Sequence, residues 1–231
     1  MMRSIGVFLL VSILGSAVLA QTKTKPPPPV KSAIPKAVPV KEPVDAGTVS
    51  GRTYMNRTFG FEVTFPNSWL IPGDDFEAEM KRAGFDLGLK APANVGPQTR
   101  TKINQAIKKV EILLTAYRSI PGSADNAIVR ISVEDLSSNP QIKDAVDYFD
   151  AMRSQFKTMT LPADFKYSET QAEQLGRKQF GFLDSSNNAG KKRLYATVRK
   201  GYAILFSLSY SKAEDLQTLR EVLAEGNFAL K

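Results

Sequence analysis

The sequence predicts an α+β protein, an α-β-α sandwich with a central, mainly antiparallel sheet of about seven strands and two main helices. Short segments in which apolar and polar residues alternate recur along the chain between turn-forming residues, as in antiparallel sheets. Two longer segments carry apolar residues at three- and four-residue spacing, as amphipathic helices do. Strands and helices do not alternate regularly, so a parallel nucleotide-binding sheet is not expected.

The composition restricts the chemistry that this chain can perform. The 231 residues include neither cysteine nor histidine. Disulfides, thiolate metal sites and cysteine nucleophiles are therefore excluded, and so are Ser-His-Asp triads and His-ligated zinc. The sequence also lacks a glycine-rich phosphate loop at a strand–helix junction. We therefore expect a protein that is not an enzyme, with no cofactor and no metal site.

The first twenty residues have the pattern of a secretory signal peptide. Arg3 is followed by an apolar run over residues 5–14, and Val18 and Ala20 occupy the positions of a small-residue cleavage site. Retention as a membrane anchor is the alternative, but a spanning helix needs about 20 mostly apolar residues. We expect cleavage near Ala20 and an extracytoplasmic protein, periplasmic or secreted, with no transmembrane span in the mature chain.

Residues 21–50 are rich in proline and lysine and contain no aromatic residue. Such a segment cannot bury enough apolar surface to offset its ordering entropy, so we predict a disordered linker. It is either a passive tether or a basic strap that contacts a membrane or envelope surface. One folded domain is expected over residues 51–231. Arg3 and the linker contribute part of the formal net charge of +8, so the domain is only mildly basic and a nucleic-acid partner is not expected.

The predicted strands begin at residues 59–65. Phe59, Phe61, Val63 and Phe65 lie on one face and are assigned to the core, and Pro66 ends the strand because proline has no amide hydrogen for the ladder. The strand over residues 126–135 is expected to place Arg130, Ser132 and Glu134 outward. The other predicted strands are residues 108–119, 165–171, 175–184, 192–199 and 202–210.

The turns and helices complete the pattern. Residues 185–190 are predicted as a polar turn, since Tyr195 stands where a calcium loop needs its bidentate glutamate. One main helix is expected over residues 139–159 with Asn139 as its N-cap, and the other over residues 211–226. Ser211 and Glu214 fit a capping box there. A short helix over residues 74–84 is capped by Asp74, whereas residues 85–105 receive no assignment.

Two segments resemble PsbP-like proteins. The N-terminal stretch YMNRTFGFEVTFPNSW, residues 54–69, is similar to the opening of that family. The C-terminal stretch ATVRKGYAILFSLSYSKAEDLQTLREVL, residues 196–223, looks like its closing strand, turn, strand and helix. The resemblance implies an α-β-α sandwich around an antiparallel sheet. It also implies a non-enzymatic accessory or binding role, often outside the cytoplasm.

The candidate binding residues are one tryptophan and several basic residues near strand ends. Trp69 is expected to pack over the sheet, and an exposed anchor at a partner interface is the alternative. The basic residues are interpreted as a rim for an acidic partner, or as solubilising charges that protect strand edges. Those that follow the turn at 185–190 are expected to be exposed. The full set is Trp69, Arg177, Lys178, Lys191, Lys192, Arg193, Arg199 and Lys200.

These observations favour an exported, non-catalytic binding or accessory protein of the cell envelope. Its partner would be an acidic envelope protein or an anionic envelope polymer, engaged by the basic strand ends. Two alternatives remain. One is an enzyme that uses carboxylates or a Ser/Lys pair in an unrecognised site. The other is a carrier of a small apolar ligand between helix and sheet.

Overall fold

A computed structural model describes residues 44–73, 75–91, 95–123, 126–188 and 190–230. The predicted signal peptide, most of the predicted linker and Asp74 lie outside these residues. The described parts form two antiparallel sheets with helices packed on both sides of the larger one. None of the helices in these parts is long and apolar enough to cross a membrane.

The larger sheet has seven strands, in the order β4-β5-β10-β9-β8-β6, and β7 also pairs with β8. All neighbouring strands in it are antiparallel. This confirms the predicted α+β class. The strands are β4 (Val110–Tyr117), β5 (Ile128–Asp135), β6 (Lys166–Tyr167), β7 (Gln171–Leu175), β8 (Lys178–Asn187), β9 (Gly190–Arg199) and β10 (Tyr202–Tyr210).

The smaller sheet consists of β1 (Thr48–Ser50), β2 (Thr53–Asn56) and β3 (Phe61–Thr64). It contains the first predicted strand, whose four apolar side chains are all buried, as expected for core residues. β1 belongs to the stretch that the composition assigned to the linker. The linker boundary at residue 50 is therefore wrong, because residues beyond the last proline pair with β2.

The large sheet has the predicted number of strands, but they are not the same strands that were predicted. The first predicted strand went to the small sheet, and the predicted strand at residues 165–171 divides into β6 and the start of β7. The predicted turn at residues 185–190 is also wrong in extent. β8 continues to Asn187 and β9 resumes at Gly190, so Ser185 pairs with Lys192 inside the hairpin. Residues expected at a loop are thus strand residues.

The helices are α1 (Phe76–Arg82), α2 (Pro97–Ile107), α3 (Ala145–Phe156) and α4 (Ala213–Glu225). α2 lies mostly in the segment without an assignment. The side chain of Asp144, rather than Asn139, caps α3 and accepts from the backbone N–H groups of Val146 and Asp147 at 2.8 and 3.0 Å. α4 begins after Lys212 without a side-chain cap, so the capping box at Ser211 is wrong.

Two apolar layers lie on opposite faces of the large sheet. On one face, α2 and α3 pack against residues such as Leu194 of β9, and we call this the α3 face. On the other, α4 and the small sheet pack against residues such as Tyr195 and Phe206, and we call this the α4 face. The layering confirms the predicted sandwich. α3 approaches closely at Gly181, where an added Cβ would lie 2.7 Å from the Cβ of Ala145.

Candidate functional site

The predicted basic residues lie at two opposite ends of the β8–β9–β10 meander. β8 and β9 pair antiparallel with Gly181 opposite Ala196, so the start of β8 lies beside the end of β9. We call this the turn end, with Arg177, Lys178, Arg199 and Lys200. The opposite end, where β8 turns into β9, is the hairpin end, with Lys191, Lys192 and Arg193.

Arg199 at the turn end is bonded to distant parts of the backbone. Its Nη1 donates to the carbonyl oxygen of Gly60 at 2.9 Å and to that of Phe228 at 3.2 Å. Its Nη2 lies 3.4 Å from the carbonyl oxygen of Leu230. The guanidinium therefore joins the segment before β3 to the segment after α4. Its contacts are structural, and little of it is available to a partner.

The other three cations of the turn end differ among themselves. Lys200 Nζ donates to the carbonyl oxygen of Thr58 at 2.8 Å, another link to the segment before β3. Lys178 is partly buried, and burial together with neighbouring Arg199 lowers its pKa. Arg177 is exposed. The turn end is thus a basic rim by position, but two of its four cations hold the fold together.

Trp69 belongs to the interior. Its side chain is 2% exposed and packs against Phe65, with ring centroids 6.1 Å apart. Its carbonyl oxygen accepts a hydrogen bond from the Arg52 guanidinium. The expectation that Trp69 packs over the sheet is confirmed. The alternative, an exposed anchor at a partner interface, is wrong because the side chain is buried.

The hairpin end contains a polar pocket of about 350 Å³. Two exposed lysines contribute to it, Lys166 of β6 and Lys191 of β9. The other charged groups of the lining are one carboxylate, Asp184, and the ammonium-bearing Lys192. The lining consists of Lys166, Tyr167, Ser168, Asp184, Ser185, Ser186, Lys191, Lys192 and Tyr210.

Asp184 does not neutralise these lysines, because it is paired with Arg193. Arg193 Nε and Nη2 donate to the two carboxylate oxygens at 2.7 and 2.6 Å, a bidentate ion pair. The guanidinium also lies over the ring of Phe182, 4.2 Å from its centroid. Burial lowers the pKa of Arg193, but the hydrogen bonds to Asp184 and Tyr195 outweigh it and the pKa is raised.

A second carboxylate near the hairpin end is also engaged. Glu173 of β7 accepts from the hydroxyl of Tyr195 at 2.7 Å and forms an ion pair with Arg220 of α4. Burial and this hydrogen bond raise the pKa of Tyr195 to about 12. Both carboxylates therefore serve in ion pairs. Among the residues that the structure describes, no group of three or more carboxylates is arranged to hold a metal.

Lys192 differs from the expectation of an exposed turn charge. Its side chain is 2% exposed, and within the described part of the chain no hydrogen bond or ion pair is recorded for its ammonium group. The hairpin pairing explains the burial, since Lys192 lies between Ser185 of β8 and Ser209 of β10 in the sheet. Burial and the positive charge of Arg130 hold its pKa well below the usual range.

Sequence reasoning missed Lys166 and misplaced Arg130. Lys166 reaches the hairpin end only because β6 pairs with the far end of β8. Arg130, Ser132 and Glu134 were expected to point to solvent, but that face of β5 is covered, and Arg130 is half-buried and donates to the carbonyl oxygen of Leu87. Ser132 and Glu134 are fully buried, and Glu134 accepts a 2.7 Å hydrogen bond from the hydroxyl of Tyr148. An alternating strand predicts two faces, not which of them is covered.

No family model and no curated protein matches the sequence. Among solved structures, a cyanobacterial PsbP (CyanoP) from Synechocystis sp. PCC 6803 matches with a TM-score of 0.37 and 15% identity, over 77% of this chain and 95% of that one. A protein from Bacteroides thetaiotaomicron VPI-5482 matches with a TM-score of 0.36 and 12% identity, over 78% of this chain.

This chain spans about half the length of the Bacteroides protein, 48% of it. Likenesses at these identities and TM-scores carry no conclusion about what this chain does. A functional proposal therefore depends on the site geometry.

Proposed function

We propose that this chain is a non-catalytic binding protein that recognises an acidic partner through the hairpin-end pocket. The observation that supports this is the local charge: Lys166 and Lys191 are exposed at the pocket, and the nearby carboxylate of Asp184 is bound to Arg193. An acidic ligand would supply the missing negative charge. The partner class is an acidic envelope protein or an anionic envelope polymer, encountered after export from the cytoplasm.

The spacing of the two lysines suits a chain of carboxylates or phosphates. Lys166 pairs with Ser186, and Ser186 pairs with Lys191, so the lysines lie on one sheet face two strands apart. Adjacent strands are about 4.8 Å apart, which separates the two Cα atoms by roughly 10 Å. A flexible polyanion can contact both ammonium groups at once.

Neutral donors complete the pocket. Ser186 and Tyr210 present hydroxyl groups among the lining residues, whereas the hydroxyl of Ser168 donates to the carbonyl oxygen of Glu169 at 2.7 Å. Burial raises the pKa of Tyr210, with a further contribution from Asp184, so its phenol stays protonated and can donate a hydrogen bond. Hydroxyl donors beside ammonium groups are suited to the oxygens of an acidic partner.

The proposal is tested with poly-L-glutamate as the probe, by titration at two salt concentrations. The double variant Lys166→Gln with Lys191→Gln is compared with Lys157→Gln with Arg177→Gln, which removes two exposed charges elsewhere. We expect the first to weaken binding roughly 3- to 10-fold and to reduce its salt dependence, since each exposed charge contributes at most about 1 kcal/mol. The second should bind as the wild type does.

Equal losses in the two double variants would contradict the proposal, because binding would then follow net charge alone. Undiminished binding by the hairpin-end variant would contradict it as well.

A further inference from the structure

A lysine and a serine are also buried on the α3 face of the sheet, away from Lys166 and Lys191. Strand alternation places Lys192 on the same face as Leu194, with Ser185 and Ser209 directly opposite it on the neighbouring strands. Arg130 of β5 lies on this face as well, since it pairs with Ser207, which is opposite Leu194. The two cations therefore lie on one face two strands apart, with β10 between them.

The described residues provide Lys192 with no compensating charge. Burial and the positive charge of Arg130 lower the pKa of its ammonium. Burial also lowers the pKa of Arg130, and Tyr117 and Glu77 offset this only in part; within the described residues Arg130 and Glu77 form no ion pair. Burying unpaired charge is costly, by several kcal/mol per ion. Two neighbouring cations with so little negative charge favour a ligand that supplies it.

Hydrogen-bond donors are left over in the same place. Ser185 Oγ is buried and has no hydrogen-bond partner among the residues that the structure describes. Arg130 donates from Nη2 to the carbonyl oxygen of Leu87 at 3.1 Å, which uses one of its five N–H groups. Lys192 and Ser185 also contribute atoms to the lining of the hairpin-end pocket.

We propose that Lys192, Arg130 and Ser185 form an internal site that binds a small oxyanion, such as inorganic phosphate or a carboxylate group. The site goes beyond the proposed recognition of an acidic macromolecule, because its side chains lie on the other face of the sheet. The guanidinium fork, the ammonium and the hydroxyl supply several N–H and O–H donors directed by different strands. Oxyanions accept several such bonds at once, which a spherical halide does less well.

The experiment uses inorganic phosphate, acetate and chloride at matched ionic strength, with the melting temperature and calorimetric titration as measurements. We expect phosphate or acetate to raise the melting temperature of the wild type in a concentration-dependent way, since a ligand of the native state stabilises it. The stronger of the two identifies the oxyanion class. Chloride should have a smaller effect.

Lys192→Met removes the ammonium and keeps a long apolar side chain. We expect it to weaken oxyanion binding roughly 10- to 100-fold, the loss of a charge-assisted hydrogen bond. Lys157→Met, at an exposed position after α3, is the matched control and should bind as the wild type does. If Lys192→Met does not fold, Ser185→Ala is measured instead, with an expected loss of roughly 3- to 10-fold.

No response of the wild type to either oxyanion would overturn the inference. So would an equal response to chloride, or an undiminished response in Lys192→Met or Ser185→Ala. The polyglutamate assay depends on Lys166 and Lys191, so the two proposals fail separately.

Discussion

The two ends of the β8–β9–β10 meander carry similar cations that serve different purposes. At the turn end, Arg199 and Lys200 donate to backbone carbonyl groups of Gly60, Phe228 and Thr58. At the hairpin end, Lys191 is exposed, and no hydrogen bond to the ammonium of Lys192 is recorded in the described residues. The role of a basic side chain at a strand end therefore depends on which segments of the chain pack beside it.

The difference arises from what the rest of the chain places at each end. The segment before β3 and the segment after α4 meet at the turn end, where Glu62 and Asn227 form a bridge, and both present carbonyl oxygens. A carbonyl without a donor is costly when buried, so a long cation that reaches it stabilises the fold. At the hairpin end, Lys192 is instead buried on the α3 face, and the described part of the chain offers it no such acceptor.

The largest effect is expected from a substitution that removes the packing at the turn end. Phe61 is 1% exposed, stacks on Phe228 at 6.0 Å and contacts Phe206 at 5.5 Å. Phe61→Ala should destabilise the protein by about 3–5 kcal/mol, the usual cost of truncating a buried phenylalanine. Thr64→Ala, an exposed position of the same strand, should cost about 1 kcal/mol or less. Urea unfolding measures both.

If the two variants unfold at the same urea concentration, the small sheet does not pack on the large one through Phe61.

A smaller effect is expected from the turn-end cation itself. Arg199→Met removes the donors to Gly60 and Phe228 and keeps much of the apolar stem, so it should cost about 2–4 kcal/mol. Arg177→Met, which changes an exposed arginine of the same turn end, should change the unfolding free energy by about 0.5 kcal/mol or less. Chemical denaturation of both variants is the measurement, and equal effects would show that the two arginines are alike.

The smallest effect is expected at the hairpin end, where the substitution should stabilise the protein rather than destabilise it. The folded pKa of Lys192 is well below the value of 10.5 expected when it is unfolded. Between these two pKa values the unfolded chain binds more protons than the folded chain. The free energy of unfolding therefore rises across this range as the pH increases toward 10.5. In phosphate-free buffer, Lys192→Met should lack this alkaline rise and gain about 1–2 kcal/mol at neutral pH.

The measurement is the melting temperature against pH for the wild type, Lys192→Met and the control Lys157→Met. The raised pKa values of Tyr148 and Tyr195 affect all three proteins equally, so the difference between curves isolates Lys192. Parallel curves for the wild type and Lys192→Met would contradict the prediction that burial of the Lys192 ammonium makes the stability depend on pH.

The sequence by itself determined the fold class and most of the elements. Alternation identified β3, β5 and β10, and three- and four-residue spacing identified α3 and α4, because these periods depend only on local backbone geometry. It also determined which phenylalanines form the core and which reactions the chain cannot perform. It did not locate α2, which is mostly polar and buries only Thr99, Ile103 and Ala106, nor β1, whose three residues are all exposed.

The tertiary structure alone decided what each nominated site residue does. Arg199 and Lys192 were both predicted as binding residues for the same reason, since each is a basic residue near a strand end. One finds carbonyl acceptors 139 and 29 residues away along the chain, and the other is buried among serines beside a second cation. Local periodicity contains no information about such distant partners. Burial and charge compensation are set by which segments pack together, and that is established only when the chain has folded.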